Sequence, residues 1–135
     1  MKKAHILWDK MPYRKQTFPE IPTEIGDLDL HGFATFKKIN FNVHRNTLAI
    51  YFVQSEVGKL NIGDIIISRF EIVFKNPIKY ILSERDTEMP KWCDKITEDF
   101  VLFENKEFKE IQFSFHGGRT LLISAESAII LFSPI

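Results

Sequence analysis

The chain has 135 residues, of which 18 are Lys or Arg and 18 are Asp or Glu, so its formal net charge is zero. This length predicts a single domain over residues 1–135. The charge balance lacks the cationic excess typical of proteins that bind nucleic acid or anionic membranes, so neither partner is expected. The single cysteine, Cys93, excludes an intramolecular disulfide and favours a reducing, cytoplasmic location.

The apolar composition indicates a protein built mainly from β-strands. There are 18 Ile and 13 Phe but only five Ala, and branched or aromatic side chains suit a pleated sheet better than a helix. The longest unbroken apolar run, Ala128–Phe132, is far too short for a membrane-spanning helix. Asp9 and Lys10 interrupt the first apolar segment, so no signal peptide is predicted.

The first predicted strand in chain order is Ala4–Trp8. Residues 1–30 also include a Pro-containing arm, in which Pro12, Pro19 and Pro22 leave little room for a helix. We therefore expect this arm to be extended or loop-like.

The segment from Phe33 to Gln54 gives the strongest local signal and predicts a β-hairpin. Its turn is predicted at Arg45-Asn46, because Asn tolerates the positive φ that a two-residue turn requires. The predicted apolar pairs are Val43 with Leu48, Phe41 with Ile50, and Ile39 with Phe52. A slip of one residue would break up these pairs, so the hydrophobic pattern specifies the register.

A further hairpin is predicted from Ile65–Phe74 and Ile78–Ser83, with a loop at Lys75-Asn76-Pro77. Proline lacks a backbone N–H and is expected to end the first of these strands. The predicted apolar pairs are Phe74 with Ile78, Ile72 with Tyr80, and Phe70 with Leu82.

Residues 84–99 have no clean hydrophobic period and are predicted to form a loop or a short helix. Pro90 suits the first position of such a helix, which would run to about Glu98. A short strand is predicted next, at Phe100–Phe103.

The last hairpin is predicted around Gly117-Gly118, which offer two positions for positive φ. In the predicted register Phe113 lies opposite Leu122, and a final strand follows at Ser127–Phe132. The fold class is therefore mainly β, alternatively α+β. It is a single antiparallel domain of about seven to nine strands, a sandwich or a strongly curved sheet, with at most one or two short helices.

The sequence contains no recognisable catalytic or metal-binding motif. The four histidines, at positions 5, 31, 44 and 116, lack metal-ligand spacing, and there is no phosphate-binding loop or nucleophile elbow. Asp94 beside Cys93 would raise the thiol pKa, which is unfavourable for an activated nucleophile. We therefore expect no catalytic residue, no metal and no cofactor, and a role in binding rather than in catalysis.

Two segments of the neutral chain are rich in acidic residues, the first at 20–29 and the second at 84–99. Either segment is open to two interpretations, a solvated loop or an acidic surface that meets a basic partner. Trp92 lies within the second segment and could anchor an interface or fold back as a lid on the sheet. The candidate partner-binding residues are Glu20, Glu24, Asp27, Asp29, Glu84, Asp86, Glu88, Trp92, Asp94 and Glu98.

The order of segments resembles that of small β-rich immunity proteins from bacterial contact-dependent inhibition and other polymorphic-toxin systems. The stretches that carry the resemblance are Leu30-His31-Gly32-Phe33 before the first hairpin, Phe70–Phe74, Phe113–Ile123 and Ser127–Phe132. The resemblance implies a cytoplasmic, non-catalytic protein that binds one cognate toxin domain and blocks its active site or substrate access. Such toxins are often nucleases with basic clefts, which the acidic segments would suit.

Two other functions remain open from the residues alone. A small-molecule-binding or hydrolytic β domain would need a deep pocket with convergent polar groups and one of the histidines. A homo-oligomer would need an unpaired strand edge, for which Ala128–Phe132 is the candidate if it is uncovered. The sequence does not specify the oligomeric state.

Overall fold

A computed structural model describes residues 1–10, 20–30, 34–55, 58–92, 97–104 and 107–135, and it confirms the mainly β class. The described residues form ten antiparallel strands and a short 3-10 helix at Trp8–Lys10, and Lys91 and Trp92 are also in 3-10 conformation. The strands are β1 Lys2–His5, β2 Glu20–Thr23, β3 Gly26–Asp29, β4 Ala34–Asn42, β5 Thr47–Gln54, β6 Leu60–Ile62, β7 Ile65–Leu82, β8 Thr97–Glu104, β9 Lys109–Phe115 and β10 Thr120–Pro134.

The two longest strands, β7 and β10, pair along almost their whole length and form the spine of the sheet. On the other edge of β7 lie β6, at Ile65–Ile67, and then β5, at Arg69–Lys75. On the other edge of β10 lie β9, at Thr120–Ala125, and then β1. The spine therefore carries different neighbours at its two ends.

At one end the strands close into a ring. β1 pairs with β10, an isolated bridge joins Ile6 to Thr23 of β2, and β3 and β6 lead back to β7. We call this part the ring end. The remaining strands run in the order β4–β5–β7–β10–β9–β8 and curve around the core, which makes the whole sheet barrel-like.

Phenylalanine side chains fill the interior of the curved sheet. The rings of Phe52 and Phe70 stack at 4.8 Å on neighbouring strands, and Phe52 lies 5.9 Å from Phe113 on β9. Phe36 on β4 lies 5.2 Å from Phe115, also on β9. Burying such a ring contributes roughly 2–3 kcal/mol, so these contacts hold the two sides of the barrel together.

The first hairpin is confirmed, with its register moved by two residues. Phe41 faces Leu48 and Ile39 faces Ile50, while Val43 enters a four-residue turn and is exposed. A shift of two residues keeps Ile39 and Phe41 on the same face as Leu48 and Ile50, as predicted, while a bulge between Phe36 and Lys38 changes the register further along the hairpin. The longer turn is favoured because Asn42 Oδ1 accepts the Arg45 N–H at 3.1 Å and Asn46 adopts φ 50°.

The hairpin predicted at Lys75-Asn76-Pro77 is wrong, because β7 continues through these residues. Asn76 has φ 50° and Pro77 lies at a register irregularity against β10, so the strand bends without reversing. Proline is tolerated at such irregularities. The long ladder between β7 and β10 replaces the three apolar pairs that the hairpin would have made.

The last hairpin is confirmed at its predicted place, but β10 is shifted by one residue. Phe113 faces Leu121 rather than Leu122, which puts Leu121 and Ile123 in the core. The loop has three residues, and only Gly118, at φ 84°, adopts the positive φ that both glycines were expected to supply. The predicted terminal strand is the second half of the same β10.

Two further expectations are made more specific. Part of the Pro-containing arm is extended and forms β2 and β3, and the start of β3 packs closely against the β6–β7 turn: a Cβ on Gly26 would lie 2.3 Å from the Gly63 Cα. The short helix predicted from Pro90 does not extend to Glu98, since β8 begins at Thr97 and pairs with β9; Lys91 and Trp92 adopt 3-10 conformation, and residues 93–96 lie outside the described residues. Hydrogen bonding to β9 outweighs the weak helical signal of this segment.

Candidate functional site

The structure separates the two acidic segments that the sequence analysis identified. Glu20, Asp27 and Asp29 lie on β2 and β3 at the ring end. Glu84, Asp86 and Glu88 follow the last residue of β7, at the opposite end of the spine. The strand from Ile67 to Leu82 is about 50 Å long at ~3.3 Å per residue and bends at Asn76, so the two segments are attached at opposite ends of the spine.

The carboxylates at the ring end face one another across a strand pair. Glu20 is opposite Asp29, and Asp27 is close by on the same strand. Partial desolvation and the nearby charges of Asp27 and Asp29 raise the pKa of Glu20 above its usual value. This cluster is therefore electrostatically unfavourable in the isolated chain.

Glu24 has a structural partner in the same region. Its carboxylate accepts the backbone N–H of His5 and lies 3.1 Å from the His5 Nδ1. Partial burial raises the pKa of Glu24, but hydrogen bonds from its own backbone and from His5 outweigh that effect, so the pKa is lowered. Glu24 thus ties the segment after β2 to β1.

The second acidic segment forms an ordered turn with its carboxylates exposed. Asp86 Oδ1 accepts the Glu88 N–H at 3.0 Å, and the Met89 N–H donates to the Asp86 carbonyl at 3.1 Å. Arg85 Nη2 donates to the Met89 carbonyl at 2.9 Å, which closes the turn. These hydrogen bonds hold Glu84, Asp86 and Glu88 on the surface.

The start of this turn is fixed to the β9–β10 hairpin. The Thr120 N–H donates to Ser83 Oγ at 2.8 Å, and Arg119 Nε donates to the Ser83 carbonyl at 2.9 Å. The acidic turn and the start of β10 are therefore neighbours. We use the term distal surface for residues Glu84–Trp92 together with His116.

Trp92 does not fold onto the sheet as a lid. Its side chain is 57% exposed and its ring stacks on that of His116, with the centroids 6.2 Å apart and the planes at 22°. The contact orients the indole while leaving much of it open to solvent. Two other predicted partner-binding residues cannot be placed on this surface. Asp94 lies outside the described residues, and for Glu98, in β8, only the backbone is described.

The sequence analysis missed an apolar strand edge beside the distal surface. Ile78, Tyr80, Ile81 and Leu82 are all exposed, with Ile78 at 62% and Tyr80 at 54%. β5 pairs with β7 only as far as Lys75, and within the described ranges no strand pairs with the edge of Ile78–Leu82 that faces away from β10. The apolar pattern of Ile78–Leu82 is visible in the sequence, but it predicts a hairpin that does not form.

Three surface grooves lack the histidine that the small-molecule-binding alternative requires. One groove of about 350 Å³ lies on the outside of β5 and β7, lined by residues that include Lys38, Tyr51, Arg69 and Glu71. Burial and a hydrogen bond with Glu71 raise the pKa of Tyr51, and Lys38 Nζ lies 4.8 Å from its ring centroid. Neither this groove nor two others, near Gln54 and Asn42, has a histidine in its lining.

The described residues contain neither a candidate metal-binding group nor a candidate membrane-spanning helix. Across the ranges that the structure describes, no group of three or more His, Cys, Asp or Glu residues could hold a metal ion. None of the helices in those ranges has the length and apolar character needed to cross a membrane.

Comparison with known proteins reveals a similarity of fold. No family model matches the chain, and no curated protein matches it. The crystal structure of an uncharacterized protein from Neisseria gonorrhoeae is similar, with a TM-score of 0.54 and 19% sequence identity, covering 80% of this chain and 96% of that chain. At 19% sequence identity, this similarity shows that the two proteins share a fold and nothing more.

Proposed function

We propose that this protein is a non-catalytic immunity protein that binds a cognate bacterial toxin domain and blocks its active site or substrate access. The observation that carries the proposal is the distal surface, where a largely exposed tryptophan lies beside the carboxylates of Glu84, Asp86 and Glu88. The resemblance of the segment order to immunity proteins supports it as well.

The distal surface has the physical properties of a protein-binding site. A tryptophan buries a large area at low entropic cost and is therefore a frequent interface anchor. Stacking on His116 restricts the indole before binding, which lowers that cost further. The surrounding carboxylates would steer a basic surface, such as the cleft of a nuclease, towards the anchor.

The proposal predicts different effects for the anchor and for the charges. The test co-expresses the chain with the product of the neighbouring gene and measures complex formation, rescue from toxicity and binding kinetics. Trp92→Ala should weaken the complex by about 2 kcal/mol or more, mainly through faster dissociation. A neighbouring gene product that is neither toxic nor bound would overturn the proposal.

The charge test has a matched control within the same chain. Replacing Glu84, Asp86 and Glu88 with Lys should slow association about tenfold or more and reduce its dependence on salt. The same three-residue reversal at Glu20, Asp27 and Asp29 changes the net charge equally but acts at the ring end. Equal effects of the two triple variants would show that net charge, rather than the distal surface, steers association.

A further inference from the structure

The free edge of β7 presents unpaired backbone groups as well as apolar side chains. The Ser83 N–H donates to the Thr120 carbonyl at 2.9 Å, which shows that Ser83 points its backbone groups towards β10. Backbone direction alternates along an antiparallel strand, so Ile81 also points to β10 while Tyr80 and Leu82 point away from it. The N–H and C=O groups of Tyr80 and Leu82 are thus available to another strand.

The side chains of Ile78–Leu82 give this strand edge little protection against pairing with another strand. Tyr80 lies opposite the buried Ile123 and Leu82 opposite the buried Leu121, so both side chains are on the core-facing side of the sheet while remaining exposed themselves. Lys79 is the only charged residue within Ile78–Leu82. Monomeric proteins usually blunt their edges with several charges, short strands or a covering loop.

Charged side chains of both signs lie near the two ends of this edge. At the Asn76 end lies the β4–β5 turn: the Asn76 N–H donates to the Asn46 carbonyl at 2.9 Å, exposed Arg45 and Lys75 are close by in the chain, and Asn76 Nδ2 donates to Glu126 Oε2. At the other end the exposed carboxylate of Glu84 begins the acidic turn, next to Ser83, whose carbonyl accepts a hydrogen bond from Arg119 Nε. Reversing the direction of the strand exchanges these ends, so in an antiparallel copy Glu84 of one chain would meet Arg45 and Lys75 of the other.

We propose that the free edge of β7 is a self-association site at which a second copy of this chain adds its own Ile78–Leu82 in antiparallel register. A two-fold axis would place Tyr80 opposite Tyr80 and Ile78 opposite Leu82. In an antiparallel pair, residues whose backbone N–H and C=O groups point away from β10 must lie opposite residues of the same kind in the partner chain. This register meets that condition. It brings Glu84 of one copy to the Asn76 position of the other, beside the turn that carries Arg45.

The size of the contact determines how the dimer should behave. Five residues from each chain are far fewer than the roughly 20–30 residues per side of a standard stable interface. The dimer should therefore dissociate on dilution and gain part of its stability from the flanking charges. It uses Tyr80 as its centre, whereas the proposed toxin contact uses Trp92, so Tyr80→Glu and Trp92→Ala distinguish the two contacts, while Glu84 takes part in both.

The first experiment measures solution mass over a range from low to high micromolar protein. The wild-type chain should shift from monomer to dimer, and Tyr80→Glu should raise the dissociation constant about tenfold or more. Ile66→Glu is the matched control, because Ile66 is an exposed apolar residue at the other end of the same strand. It should dimerise like the wild type. Circular dichroism and thermal unfolding of each variant check that the fold is retained.

A charge exchange tests the register. Arg45→Glu and Glu84→Lys should each weaken the dimer, and the double variant should recover most of the loss because each pair is restored with reversed signs. The proposal is overturned if the wild type stays monomeric throughout, if Ile66→Glu disrupts the dimer as strongly as Tyr80→Glu, or if the double variant shows no recovery. Loss of toxin binding in Tyr80→Glu, with a wild type that is monomeric, would instead assign this edge to the toxin.

Discussion

At the residue scale, burial separates phenylalanines that the sequence alone treats alike. Phe52 is 1% exposed and contacts the rings of Phe36, Phe70 and Phe113, whereas Phe41 on the facing strand is 46% exposed. Both belong to the same hairpin, although Phe41 lies between two asparagines and Phe52 between Tyr51 and Val53. Their energetic roles are set by what lies across the barrel.

This difference gives a paired prediction of stability. Phe52→Ala should lower the free energy of unfolding by about 3–5 kcal/mol, because it removes buried area and leaves a cavity among aromatic rings. Phe41→Ala should cost less than about 1 kcal/mol. Urea denaturation of the two variants measures both values, and similar losses would contradict the observed packing.

Two carboxylates near the ring end should respond to pH with opposite signs. Glu20 has a raised pKa in the folded state, so it lowers stability as the pH rises above the ordinary carboxyl range. Glu24 has a lowered pKa, so it contributes stability that is present above that range and is lost as the pH falls through its folded-state value.

At neutral pH, Glu20→Gln should therefore stabilise the protein and Glu24→Gln should destabilise it. Both groups are largely solvent-exposed, so each effect should be about 0.5 kcal/mol or less. Unfolding curves at neutral pH and at about pH 3 provide the measurement, since the gain from Glu20→Gln should vanish below the ordinary carboxyl range. Changes of the same sign for the two variants at neutral pH would contradict the assigned pKa directions.

At the element scale, β7 behaves differently along its length because its neighbours change. Residues up to Lys75 have strands on both edges, while Ile78–Leu82 have only β10. Asn76 and Pro77 mark the boundary, where the strand bends and the β4–β5 turn abuts it. The same strand therefore serves as core in one half and as surface in the other.

Amide hydrogen exchange should reveal this change residue by residue. In dilute solution the Tyr80 and Leu82 amides should exchange at least about tenfold faster than that of Ile81, whose N–H points to β10. Raising the protein concentration should slow the exchange of Tyr80 and Leu82 if the edge pairs with a second copy. Uniform protection from Ile78 to Leu82 in dilute solution would contradict a free edge.

Across the whole molecule, closure of the ring end explains why the most apolar run is not the exposed edge. Ala128–Phe132 was the predicted site of edge pairing, but it lies in β10 with β7 along one side and β1 along most of the other. Because β1 comes from the start of the chain, no local pattern around Ala128 could indicate this cover. The uncovered edge arises instead where β5 ends and β7 continues.

The sequence by itself determined the β class, the location but not the register of two of the three predicted hairpins, and the exposed character of the acidic turn, because alternation, turn residues and charge act over a few neighbouring positions. Only the tertiary structure decided that β7 runs through Lys75-Asn76-Pro77, that the two acidic segments lie far apart and that Ile78–Leu82 has an open edge. These features depend on pairing between β7 and β10, which are separated by dozens of residues. Long-range ladders of this kind outweigh local turn signals, since each adds hydrogen bonds and buried area that a short hairpin lacks.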